Sequence, residues 1–240
     1  MAEQQDKKDK GPKGPKGPPA EAQAKKAKKA AKSAEPEAAA EEPRQPAPPA
    51  RLWVRYRQEI VPKLKESLGV KNDLAVPRLE KIVISMGLGK IMTAGGDAKA
   101  KMEQAEKELA VIAGQKPVRC KAKKSVANFK VREGMETGLK VTLRGARMYE
   151  FLDRLISLVI PRVKDFRGLE PNGFDREGNY SFGFTEQTVF PEVDAANVTF
   201  QQGMNITLCS NAGSVQRGRE LLRAFGMPFR DDAKKETTAA

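Results

Sequence analysis

The residues of this chain best suited to chemistry are cations, and they are crowded together. Between Gln115 and Arg132 the sequence reads QKPVRCKAKKSVANFKVR, with Lys116, Arg119, Lys121, Lys123, Lys124, Lys130 and Arg132 and no acid among them. Each Lys or Arg brought against a phosphate backbone releases a condensed counterion, so such a stretch gains free energy on a nucleic acid largely through entropy. A solvated basic loop is the competing expectation. Two other segments hint at different chemistry. Gly87-Leu88-Gly89-Lys90 follows a predicted strand, as a phosphate-cradling loop does, but it lacks the Ser or Thr after Lys and the four-residue interval before Gly-Lys, so it reads as a glycine-rich turn. Asp165, Glu170 and Asp175 are carboxylates of the kind that hold magnesium. They sit among Arg162, Lys164, Arg167 and Arg176, and surface charge pairing is the expectation instead.

Composition removes whole classes of function. The chain contains no histidine, which excludes His general bases, His triads and His metal sites. Cys120 and Cys209 lie far apart and form no C-x-x-C pair, so no structural zinc is expected, and scattered cysteines without a secretory signal fit a reducing cytoplasm. No metal, cofactor or catalytic residue is expected, and no apolar run is long enough to span a bilayer. The net charge of +13, from 44 basic and 31 acidic residues, divides unevenly: residues 1–50 carry 11 basic and 8 acidic, and residues 231–240 carry 2 and 3. The excess belongs to the middle of the chain, and a basic surface of that size predicts an anionic partner.

Three regions follow. Residues 1–50, with KGPKGPKGPP, AKKAKKAAK and a proline-rich end, cannot bury enough apolar surface to offset the entropy of ordering, and are expected to be a disordered extension. Residues 51–230 have the patterning of one globular domain, and residues 231–240 read as a flexible tail. Within the domain, Leu52, Tyr56, Ile60, Leu64 and Leu68 recur at helical spacing, with Pro62 expected to kink or divide the helix and Gly69 to stop it. A second helix starts near Asp97, carries Met102, Ala105, Leu109 and Ile112, and ends at Gly114. A third spans 147–160 with Phe151, Leu152, Leu155, Ile156 and Val159 inward and Pro161 as its stop. A closing helix over 214–225 turns Val215, Leu222 and Phe225 inward. Strands are expected at 81–87, 139–144, 180–184, 188–190 and 204–209. Their alternation predicts an α+β domain whose largely antiparallel sheet is covered by helices on one face. The other face presents Lys81, Ser85, Lys140, Thr142, Arg144, Asn205 and Thr207, a polar and partly basic plane. An ordinary hydrated face is the alternative there.

The run LAVIAGQKPVRCKAKKSVANFKVREGMETGLKVTLRGARMYEFLDRL, followed by PRVKDFRGL, GNYSFG, VFPEV and LLRAFGMPFR, closely resembles the 5S-rRNA-binding ribosomal proteins of the bacterial large subunit, fifth in that subunit's series. The resemblance covers residues 56–230. It implies a structural, non-enzymatic constituent of the cytoplasmic ribosome. Such a protein binds 5S rRNA, helps form the central protuberance beside large-subunit rRNA and neighbouring proteins, bridges to a small-subunit head protein, and touches tRNA in the peptidyl site through a basic loop. The resemblance places the 5S contacts at Ser85, Gln115, Thr142, Arg144 and Asn205, with Lys140 on the same face, and the tRNA loop at 123–138. Lys123, Lys124, Lys130 and Arg132 are its expected phosphate contacts. Phe129 either stacks on RNA or anchors the loop to its own domain, and anchoring is the first expectation. Ser85 stands where relatives have Asn, and Asn205 where they have Asp. The other function class open to the chain is a general RNA-binding or RNA-chaperone protein outside the ribosome.

Overall fold

The computed structural model describes residues 48–94 and 97–230. The expectations for a disordered extension and a flexible tail fall, except at residues 48–50, outside the described residues. Five strands form where apolar and polar residues alternate: β1 (Leu79–Gly87), β2 (Val118–Lys121), β3 (Glu136–Leu143), β4 (Tyr180–Phe184) and β5 (Met204–Ser210). They build one sheet of order β2-β3-β1-β5-β4 in which every neighbouring pair is antiparallel. Because side chains alternate along a strand, Ile82, Ile84 and Met86 of β1 share one side with Leu139, Val141 and Leu143 of β3 and with Met204, Ile206 and Leu208 of β5, all buried.

Helices cover that side. The first, α1, runs over 51–68; α2 is Gly89–Ala94; α3 is Ala98–Ala113; α4 runs over 145–162; and α5 is Val215–Phe225. The inward stripe of α3 is the expected one, with Met102, Ala105, Leu109 and Ile112 buried, and Gly114 closes the helix in the left-handed region at φ 66°. Phe151, Leu152, Leu155 and Val159 of α4 are buried in the same core. Tyr56 of α1 stacks on Phe225 of α5 at 5.5 Å between ring centroids, and its hydroxyl donates to Pro77 O at 2.9 Å. Burial pushes the Tyr56 phenol up to about 12.

The two helical prolines share one solution. In α1, an α-helical start (Arg51–Arg55) gives way to a π-helical turn (Tyr56–Ile60) just before Pro62 in the first turn of Val61–Leu68. In α4, a π-helical turn at Leu155–Val159 likewise precedes Pro161. A proline lacks the N–H and crowds the carbonyl four residues back, and a wider π turn at that point relieves both conflicts. Pro62 therefore divides α1 by hydrogen-bond pattern without ending it, and α4 runs past Pro161 to Arg162 rather than stopping there.

Other expectations need correction. The strand expected at 188–190 is a 3-10 turn (Gln187–Val189), because Gln187 is fully buried and its amide binds backbone: Nε2 donates to Phe200 O at 2.8 Å and Oε1 accepts from the Gln202 N–H. A buried amide needs such partners, and meeting them here bends the chain out of the sheet. Val215, expected inward, is 42% exposed; it follows the cap Ser214, and Leu221, Leu222 and Phe225 seat the helix instead. Strand β2 was not expected at all, since its sequence VRCK lies inside the cationic stretch.

Candidate nucleic-acid interface

The uncovered side of the sheet is built by cross-strand register. Val118, Lys140, Ser85, Asn205 and Gly183 are successive partners across all five strands, from β2 to β4. At the usual strand spacing that row spans roughly 19 Å. A second row holds Thr142, Val83, Thr207 and Ser181, with the Ser181 hydroxyl donating to Thr207 Oγ1 at 3.1 Å. Lys140, Asn205 and Gly183 are exposed, and Ser85 and Thr142 half-buried. Gly183 has a specific reason to lack a side chain: a Cβ there would stand 2.9 Å from Asn205 Oδ1, so the Asn205 amide has room to lie over β4.

Gln115 and Arg144 sit at the rim of this face, in different roles. Three residues before the start of β2, the Gln115 Nε2 donates to the backbone carbonyl of Thr142 at 2.9 Å, which completes the edge of β3 beyond the reach of β2 pairing. One side of the amide is thereby fixed in the protein, and Oε1 is the acceptor left to a ligand. Arg144 follows β3 directly, is exposed, and holds no ion pair among the described residues.

The loop between β2 and β3 is an ordered arm. The Ala122 N–H donates to Met135 O at 2.8 Å and the Gly134 N–H to Ala122 O at 3.0 Å; further out, Val126 and Val131 exchange backbone bonds at 2.9 and 3.2 Å. A 3-10 turn (Ala127–Phe129) closes the tip, with Lys130 forced to φ 53° as it accepts the reversal, and Ser125 Oγ takes the Glu133 N–H at 2.9 Å. Lys123, Lys124, Lys130 and Arg132 are exposed and, among the described residues, in no ion pair. Phe129 is 72% exposed at the tip, so it does not anchor the arm to the domain. Arg119 differs from its cationic neighbours. Strand alternation turns it toward the helix side, opposite Leu139, where it pairs with Glu106 of α3 and, at 3.1 Å, with Glu136.

The remaining candidates do not join this surface. Asp175 is not paired with a cation but closes its own turn. It accepts from the N–H groups of Glu177 and Asn179 at 3.1 and 2.8 Å and from the Asn179 amide at 2.8 Å. Partial desolvation pushes its carboxyl up, and these bonds outweigh that and hold it below the ordinary range. Asp165 and Glu170 form no ion pair among the described residues, contrary to the surface pairing expected for them. Among the described residues no group of three His, Cys, Asp or Glu side chains could hold a metal ion. The glycine-rich turn expected at Gly87 to Lys90 is instead a direct strand-to-helix junction: Gly87 ends β1, the buried Leu88 is the single linking residue, and Gly89 and Lys90 open α2. Both cysteines are free, and burial pushes the Cys209 thiol up. Among the described residues no helix is long and apolar enough to cross a membrane.

Comparison with protein families then decides the lineage. The family model described as Ribosomal protein L5 matches residues 72–132, and a second model, of the same ribosomal family's C-terminus, matches residues 136–229. The chain belongs to the ribosomal protein L5 family. It is 53% identical over 180 residues to the large ribosomal subunit protein uL5 of Alkaliphilus metalliredigens, covering 75% of this chain and 98% of that relative. It is 55% identical over 176 residues to the uL5 protein of Thermosipho africanus, covering 73% and 95%, and 53% identical over 176 residues to that of Thermotoga maritima, covering 73% and 94%. As an L5-family protein the chain is a structural constituent of the large ribosomal subunit, a ribonucleoprotein component and not an enzyme. The seam between the two matched parts, residues 133–135, falls in the returning half of the basic arm, and residues 1–50 precede both.

Proposed function

We propose that the uncovered sheet face binds 5S rRNA and that the arm contacts tRNA in the peptidyl site, so that residues 51–230 engage two structured RNAs within the central protuberance. Large-subunit rRNA, neighbouring proteins there and a small-subunit head protein complete the set of partners. The observation that supports this reading most is the row Lys140–Ser85–Asn205 on three adjacent strands, with Thr142 one row away. It aligns an ammonium, a hydroxyl and an amide on one surface. The wide, shallow minor groove of A-form RNA offers 2′-hydroxyls and base edges to such a surface, and the phosphates beside it face Lys140 and Arg144. The arm suits a different contact. Its four free cations track a backbone, and the exposed Phe129 ring offers a stacking surface to an unpaired base.

Filter binding of the purified chain to 5S rRNA tests the division. The double variant Lys140→Ala, Arg144→Ala weakens 5S binding and lowers its salt slope by about 2, one per lost phosphate contact. Substituting Lys123, Lys124, Lys130 and Arg132 leaves 5S binding in place and weakens tRNA binding. The opposite division refutes the assignment of the two surfaces.

A further inference from the structure

A groove of about 310 Å³ opens beside the rim of the sheet face, lined by Pro49, Ala50, Trp53, Gly145 and Ala146. Its walls are apolar and partly aromatic, and Gly145 and Ala146 follow directly on Arg144 at the end of β3. The volume is at the low end of small-molecule sites, enough for one flat ring system and too small for a length of strand. The Trp53 indole is only half-buried, and its N–H has no partner among the described residues. An indole N–H can only donate, so an occupant that accepts a hydrogen bond is matched.

The surrounding charge is selective. On α1, Arg51 is tied to Asp153 and Arg55 to Glu59. Arg57, by contrast, lies over the Trp53 ring with Cζ 4.1 Å from the centroid, and it shares with Arg144 and Arg147 the absence of any ion pair among the described residues. All three are exposed. An apolar slot lined by an indole whose N–H has no partner among the described residues, with exposed Arg144 and Arg147 flanking its lining residues Gly145 and Ala146 in the chain, fits a flat heterocycle carried on a phosphate chain.

We propose that this groove receives a single unstacked base of the RNA held by the adjoining sheet face, packed against Trp53 and Pro49, with its flanking phosphates on Arg144 and Arg147. The inference rests on the assignment of that face to 5S rRNA. Trp53 is the only tryptophan in the chain, so its emission reports the groove alone. The full chain titrated with 5S rRNA shows quenching of Trp53 that tracks binding, and its accessibility to acrylamide falls in the complex. A fully paired RNA duplex leaves the emission unchanged. Ala146→Leu fills the groove from an exposed position; it abolishes the quenching and weakens 5S binding, within roughly the 5- to 150-fold range of a lost base–aromatic stack. Tight 5S binding with Trp53 emission and accessibility unaltered overturns this inference and leaves the sheet assignment standing. Equal quenching by the duplex overturns it, as does a change of emission on deleting residues 1–47 without RNA, which makes the chain's own extension the occupant. No 5S binding at all removes the sheet assignment and this inference with it.

Discussion

Replacing Lys123, Lys124, Lys130 and Arg132 together by Gln strips the arm of four exposed cations that no acid neutralises among the described residues. Each charge seated on a phosphate contributes about 0.7 to the log–log salt slope for a single strand and about 0.9 for a duplex, so the variant's slope on tRNA is shallower by roughly 2.8 to 3.6. Between about 50 and 200 mM monovalent salt, the parent chain then loses roughly 50 to 150 times more affinity than the variant does. Filter retention of labelled tRNA across a potassium chloride series reads this directly. Arg119→Gln is the internal control. Its guanidinium already faces Glu106 and Glu136 on the helix side of β2, so its loss lowers the melting temperature and leaves the slope alone. The reasoning fails if the quadruple variant keeps the parent slope, or if Arg119→Gln lowers the slope by a full contact.

Three further outcomes follow from the packing. Gly218→Ala drives a Cβ into the backbone carbonyl of Gly178, which no side-chain rotation can clear, and destabilises the domain by about 1–3 kcal/mol in urea denaturation; unchanged stability refutes that contact. Gln115→Ala leaves the Thr142 carbonyl without its side-chain donor and is expected to cost about 1–3 kcal/mol in addition to weakening 5S binding, which thermal melts and filter binding separate. Burial raises the phenols of Tyr56 and Tyr180 to about 12 and also raises that of Tyr149, against 10.0 when free. Their contribution to stability is fully present below pH 10.0 and lost as pH climbs toward about 12. Phenolate absorbance should therefore appear late and together with unfolding; ordinary titration of all three near pH 10 contradicts the burial.

Where one physical rule dominates a segment, the sequence was readable. The alternation in KVTL, with Lys140 and Thr142 on one face and Val141 and Leu143 on the other, survives in β3 because a half-covered antiparallel strand needs that pattern. Ser85, Lys140, Thr142 and Asn205 share one face in the structure for the same reason. Segments under two demands were misread. VRCK carries charges that read as loop, yet backbone pairing with β3 makes it a strand and turns the still-exposed Arg119 to the helix side, toward Glu106. Residues 188–190 have strand-like composition, but the buried Gln187 amide takes the local backbone bonds. The exposure of Phe129 depends on how far the paired stem of the arm extends, which the Val126–Val131 bridge sets. Aromatic composition alone says nothing of that reach. The Trp53 groove carries no local signal, since residues 49–53 and 145–146 meet only through the packing of α1 on α4.

Strand β3 starts at the root of the arm and ends at Leu143, directly before Arg144, and it is hydrogen-bonded on both flanks, to β1 and β2. Its eight residues make a stiff ruler of roughly 27 Å. Under the proposed function, two nucleic acids gripping opposite ends are thereby held at a set distance, and a shift in one is relayed to the other as displacement along a single rod instead of being absorbed by a hinge.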